Sequence, residues 1–273
     1  MYYISNVTRD TNKTTKGNEM RGLFLHCGAE RVSYDDIKRL PEPKPLGESH
    51  TPIHHDVLIR GVTDALTETG YKIVEAAHSL SHGGARYFGL LRVEGGGEDK
   101  TKDYGNVVGL RNSDDKSFSS KLGAGGGVFV CDNLSFSAEV VIARRHTKNI
   151  LRDLPAKIGV AVSNLPKEFH NMSKRVEVYK ERPLTKAEAH DLILKSYKAG
   201  SCTTSAIGKV LKEYEDPTHE DFRNRNAWSL FNAFTEVGKG NLKTLPYRTS
   251  TLHKVFDRHC GIKYDSETGI VIG

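Results

Sequence analysis

Cationic side chains and aromatic rings interleave in several stretches of this chain, the combination that contact with a sugar-phosphate backbone and its bases requires. In ARYFGLLRV, residues 85 to 93, period-two alternation puts Arg86, Phe88 and Arg92 on one face of a strand and Tyr87, Leu91 and Val93 on the other. If the first face is exposed, it offers phosphate contacts beside a stacking platform. If a second layer covers it, Phe88 is core. Arg111, Lys116 and Lys121 flank or interrupt the polar loop RNSDDKSFSSK, and Arg144, Arg145, Lys148 and Arg152 cluster where a strand gives way to a helix. These cations are expected to line one groove.

A second candidate is KLGAGGGVFVCDNLSFS, 121 to 137, with glycines at 123, 125, 126 and 127. A phosphate-cradling glycine loop follows a strand and opens a helix, so that the phosphate meets unsatisfied N–H groups at the helix N-terminus. Here the glycines open a strand: Val128 to Cys131 is apolar, Asp132-Asn133 is a turn pair, and Leu134, Phe136, Ala138, Val140 and Ile142 alternate with Ser135, Ser137 and Glu139. That is a hairpin, and no Gly-Lys-Ser/Thr follows. Gly123, Gly125, Gly126 and Gly127 are expected to allow a bulge or a close backbone approach, a ligand's sugar-phosphate chain being one candidate.

Other chemistry is poorly supplied. His26-Cys27 and His259-Cys260 are paired soft ligands, yet adjacent residues rarely ligate one metal together. His54, His55, Asp56, His78 and His82 form a looser group without an HExxH or DxD pattern, which fits capping and surface histidines better than a hydrolytic metal site. No GxSxG elbow positions a serine nucleophile, and Cys131 lies in an apolar run. These motifs nominate no catalytic residue, no metal site and no cofactor.

The elements that must position the cations follow from length and patterning. With 273 residues, 27% charged and 37% hydrophobic, the chain can bury one large core or two small ones, and no apolar stretch is long enough to span a membrane. The N-terminus lacks the apolar core of a secretory signal, and the four scattered cysteines read as reduced thiols, so a cytoplasmic location is expected. The net charge of +6 is unevenly spread: residues 1 to 145 carry 19 basic and 19 acidic side chains, leaving 21 and 15 for the remainder. Residues 144 to 182 hold ten basic against four acidic groups, either a footprint for a polyanion or a solvated helix surface.

Residues 1 to 20 are polar, and LeuPheLeu at 23 to 25 suggests a short strand. Ser33 with Asp35 and Asp36 predicts a brief helix before the connector PEPKP, and Leu58, Val62, Ala65 and Leu66 mark a helix from His54 to Gly70. Strands are predicted at 71 to 80, 85 to 93 and YGNVVGLRN, followed by the hairpin above. Beyond His146 the period is helical: a segment on Leu151, Leu154, Ile158, Val162 and Leu165, expected to kink or break at Pro155 and Pro166; a helix after the Thr185/Glu188 capping box; and helices at 203 to 214, near 221 to 237 and at 249 to 259. The helix after the capping box and the one at 203 to 214 could form a helix-turn-helix, but the latter displays only Lys209 and Lys212. The expectation is an α+β fold: an antiparallel sheet with a flanking helix in the N-terminal half (21 to 145), a helical C-terminal half (146 to 262) packed on it, and a tail at 263 to 273.

The blocks VVGLRNSDDKSFSSKLG, GVFVCDNLSFS, ARRHTKNILRDLP and NAWSLFNAFTEVGKG resemble, in order and spacing, the phage/plasmid-like protein family catalogued as domain of unknown function 932, from about Met20 to Cys260. One departure is visible: where the family usually reads Arg-Asn-Ser-His-Asp, this chain carries Asp114, so any role of that histidine in relatives is missing here. The resemblance implies residence on bacteriophages and plasmids, hence a bacterial cytoplasm, and implies no reaction. The order of helix, antiparallel strands and basic helix is also similar to that of single-strand annealing recombinases, at the level of fold alone. The function expected is single-stranded DNA binding or annealing in replication or recombination. The alternatives are a phage protein that blocks or mimics a host protein, and a metal-dependent nuclease. A homo-oligomer is compatible with the first.

Overall fold

Strands of alternating polarity turn back on one another through short connections, so neighbours in sequence become neighbours in the sheet. A computed structural model describes residues 29–95, 104–128, 134–143, 146–239 and 244–272. Its sheet contains β1 (Glu30–Val32), β2 (Tyr71–Ser81), β3 (Arg86–Gly95), β4 (Tyr104–Ser113), β5 (Ser120–Val128) and β6 (Leu134–Ala143) in that order, every adjacent pair antiparallel. The helices are α1 (Tyr34–Lys38), α2 (His55–Glu68), α3 (Ile150–Ser163), α4 (Leu165–Glu181), α5 (Lys186–Lys198), α6 (Thr204–Glu215), α7 (Ala227–Val237) and α8 (Leu245–Cys260). The architecture is α+β, with the sheet in the N-terminal half and helices in the C-terminal half.

The pleat decides what each face holds. Tyr87, Leu91 and Val93 of β3, Val108 and Leu110 of β4, Leu122 and Ala124 of β5 and Ile142 of β6 share one face, which buries them beneath Leu58, Val62 and Leu66 of α2, Leu154, Ile158 and Val162 of α3, and Leu165 and Phe169 of α4. A second core lies among the helices and takes Met172, Val176 and Tyr179 from the same α4, with Phe231 of α7 and Phe256 of α8. The two cores therefore divide inside α4. A buried ion pair secures the second: Arg175 Nε lies 3.1 Å from Asp257 Oδ2, and Tyr179 donates to Asp257 Oδ1 at 2.5 Å. Tyr264 also donates to Asp257, and Asn171 binds the backbone of Gly269 and Val271, which tacks the tail onto α4.

The opposite sheet face is covered only in part. Phe136 lies across Gly109 and Gly125, where an added Cβ would come within 2.5 Å and 2.8 Å of its ring. It packs with Ala77, Leu90, Val107 and Leu245, while the Thr249 hydroxyl of α8 accepts from the Phe136 N–H at 3.0 Å. The register shift at Ala124/Gly125 is the bulge that brings the Ser135 carbonyl against Gly125.

Several boundaries depart from expectation. The glycines do not open a strand; Gly123, Gly125, Gly126 and Gly127 lie within β5, and at Gly125 the close approach is internal, from Phe136 and the Ser135 carbonyl. Helix α3 runs unbroken through Pro155, which lies on its exposed side, whereas Pro166 stands in the first turn of α4 as expected. Leu151 is 48% exposed, so the buried stripe begins at Ile150 instead. Strand β1 was not foreseen, α8 starts four residues earlier than predicted, and LeuPheLeu falls outside the described residues.

Two substitutions test this packing. Gly109→Ala forces a methyl group into the Phe136 ring and is expected to destabilise the fold by about 1–3 kcal/mol in urea unfolding. Asp257→Ala strands the Arg175 guanidinium in the second core and is expected to cost about 3–5 kcal/mol in the same measurement.

Candidate nucleic-acid interface

Beyond Phe136 and the start of α8, this face opens into a cleft of about 410 Å³ lined by Ser79, Arg86, Phe88, Arg111 and Phe118. Strand register builds it: Phe88 stands opposite Arg111, and Arg111 opposite Lys121, so three adjacent strands place an aromatic ring and two cations in one row. Phe118 comes from the β4–β5 connection. It is held there by Ser113, whose hydroxyl donates to the Phe118 carbonyl at 2.8 Å and accepts its N–H at 3.1 Å. The Arg111 guanidinium sits 5.6 Å from the Phe118 ring centroid, a cation–π distance.

Not every predicted cation joins that row. Arg86 lines the cleft while bonded to Asp115 at 2.7 Å and to His82 at 2.8 Å. Arg92 lies on the same face farther along β3, paired with Glu75 at 2.6 Å and only 11% exposed. Lys116, with φ of +60°, directs its ammonium to the Leu46 carbonyl at 2.5 Å and lines a neighbouring cavity. Lys148 is exposed just before α3, and Arg152 is carried on α3, on the other side of the sheet, beside Asp153 at 2.9 Å. Arg144 and Arg145 lie outside the described residues, as do His26 and Cys27.

The neighbouring cavity, about 440 Å³, is lined by Ser49, His50, Ser113, Lys116, Phe118, His146 and Thr147, so Phe118 borders both spaces. Behind it runs a buried polar chain that sequence reasoning missed, because its members come together only through the fold. Asn112 of β4 donates to the Ile53 carbonyl at 2.6 Å and to His55 Nδ1 at 2.8 Å, and accepts from the Ser120 hydroxyl at 2.5 Å. Ser120 meets His146 Nε2 at 2.9 Å, and His55 Nε2 donates to the Gly84 carbonyl at 2.9 Å. Burial pushes both His55 and His146 down to about 4, so both rings are neutral near pH 7. Burial pushes Asp114 the other way, up to about 7. Asp114 lies 3.5 Å from His55 Nε2, but with that ring neutral the contact is not an ion pair.

In the looser histidine group His55 and His78 both lie against the Tyr87 ring and His54 beside His55, but each side chain takes its own hydrogen-bond partner. His54 caps α2 by accepting from the Asp56 N–H, His78 meets the buried Tyr87 hydroxyl, and His82 contacts Ser81 and Arg86. Among the described residues no three His, Cys, Asp or Glu side chains stand close enough to hold a metal. Nor is any described helix long and apolar enough to cross a membrane.

A family model described as "Domain of unknown function (DUF932)" matches residues 46–251. The chain belongs to the DUF932 family. No curated protein and no solved structure gives a significant match. The DUF932 segment contains β2 to β6 and α2 to α7, and with them almost every residue of the cleft and the whole buried chain behind it.

The titrating groups give opposite pH slopes. An unfolded histidine takes up its proton near 6.5 and the folded ones only near 4, so the stability from neutral His55 and His146 is complete above 6.5 and is lost as pH falls towards 4. Asp114, at about 7 folded against 3.8 unfolded, contributes stability below 3.8 that is lost as pH rises through 7. Asp114→Asn is therefore expected to raise the thermal midpoint at pH 8 and to leave it almost unchanged at pH 4. An equal shift at both pH values would show that the carboxyl carries no burial cost.

Proposed function

We propose that this protein binds a single nucleic-acid strand across the open part of the sheet face opposite α2, α3 and α4, in the replication or recombination of phage or plasmid DNA. The observation that carries this reading is the cleft itself: Phe88 and Phe118 border it together with Arg86 and Arg111, and Lys121 continues the row. Half-buried rings on a solvent-facing sheet suit sequence-tolerant stacking of unpaired bases, which a duplex keeps inside its own stack. Guanidinium groups beside them neutralise phosphates and make binding salt-dependent. The salt bridges of Arg86 and Arg92 lower their share, because a phosphate must compete with Asp115 and Glu75. Arg111, beside the Phe118 ring, and Lys121, next in the row, supply phosphate contacts as well, and Lys116, Lys148 and Arg152 contribute to the surrounding potential. The resemblance to phage- and plasmid-borne proteins supplies the biological setting.

Titration of a fluorescently labelled oligonucleotide at several salt concentrations tests the reading. Single strands are expected to bind more tightly than duplex. Arg111→Ala should reduce the slope of log K against log salt by about one unit, and Phe118→Ala should weaken binding by about 1–3 kcal/mol with little change in that slope. Absence of binding at low salt rejects the proposal.

A further inference from the structure

The protons of the buried chain can be assigned from its hydrogen bonds, and the assignment leaves two nitrogens at the second cavity in defined states. Ser120 has one hydroxyl proton and gives it to Asn112 Oδ1 at 2.5 Å. Its oxygen must then accept from His146 Nε2 at 2.9 Å, so that nitrogen carries the ring proton and His146 Nδ1 is a bare acceptor. His50 Nδ1 accepts the Leu46 N–H at 3.0 Å, which places the proton of the neutral ring on Nε2, a donor. Among the described residues neither His50 Nε2 nor His146 Nδ1 has a hydrogen-bond partner, although the two side chains are only 6% and 8% exposed. Their rings lie within 4° of parallel, with centroids 5.7 Å apart.

A buried donor and a buried acceptor on two facing rings, both unpartnered, are costly unless a ligand supplies the complementary pair. The cavity that His50 and His146 line also has Phe118 on its wall and Lys116 at its edge. A divalent metal suits it poorly, because the proton on His50 Nε2 occupies the lone pair a metal would use. A planar ring with an acceptor next to a donor suits it well, and that is the pattern on the hydrogen-bonding edge of a nucleobase. We propose that the cavity lined by His50 and His146 takes one extruded base of the bound strand, flanked by Phe118, the two imidazoles turning to offer it His50 Nε2–H and His146 Nδ1. The assignment rests on the strand-binding reading of the adjacent cleft: Phe118 borders both spaces, so a strand in the cleft can place one base over it.

The test compares short single strands that are wholly abasic with the same strands carrying a single base. Wild-type protein is expected to bind the one-base strand about tenfold more tightly than the abasic one, and His146→Phe or His50→Phe should abolish that difference while leaving abasic binding unchanged. Equal affinity of wild-type protein for both strands would overturn the base pocket and leave strand binding intact. If no strand binds, the proposed function fails, and the pocket is then decided by the imidazole NMR signals of the wild-type protein. Shifts of His50 and His146 on adding free nucleosides sustain it, and unmoved signals reject it. A response to an amide such as N-acetylglutamine amide without a response to nucleosides would also overturn the assignment, in favour of a peptide side chain.

Discussion

One buried amide constrains the whole region between the sheet and the start of α2. Asn112 is fully buried, and with both N–H groups and its oxygen engaged it joins the segment before α2, the first residue of that helix and the start of β5. Because each bond has a fixed direction, the amide also dictates which nitrogen of His55, and through Ser120 which nitrogen of His146, holds a proton. A network this deeply buried must be nearly complete, since each orphaned group costs free energy comparable to a lost hydrogen bond. Among the described residues the one ring nitrogen this network leaves unsatisfied is Nδ1 of His146, which lines the cavity.

The sheet contributes a different constraint. Period-two alternation sends large aliphatic side chains to one face, where three helices cover them, and sends Arg86, Phe88, Arg111 and Lys121 to the other. Phe136 then closes part of that second face by lying over glycines where no side chain competes with it. What stays open is the region where cations and rings meet.

Much of this was legible beforehand, for physical reasons. The strands at 71 to 113 carry enough branched and aromatic residues to show their period, and Tyr87, Leu91 and Val93 point into the core as the alternation required. The capping box at Thr185 and Glu188 starts α5 because both of its hydrogen bonds are local. Strand β5 was harder to place, since glycines carry no side chain with which to mark a period, and β1 has too few residues to show one. At Pro155 the helix does not break, because a proline on its exposed side removes one solvated backbone bond. His50, Asn112, Ser120 and His146 were invisible as a set, because their distances in sequence carry no trace of contacts that only the folded sheet and its connections create.

The course of α4 has a consequence for how the molecule comes apart. Its first turns seal the sheet with Leu165 and Phe169, and its last turns anchor the helical bundle with Val176 and Tyr179. A cut near residue 146 strips the sheet of its cover and leaves Leu165 and Phe169 bare on the bundle, and a cut within α4 leaves each side with half a rod. Recombinant fragments split at either place would expose raw apolar seams and tend to clump, so the two halves are best regarded as a single inheritance unit.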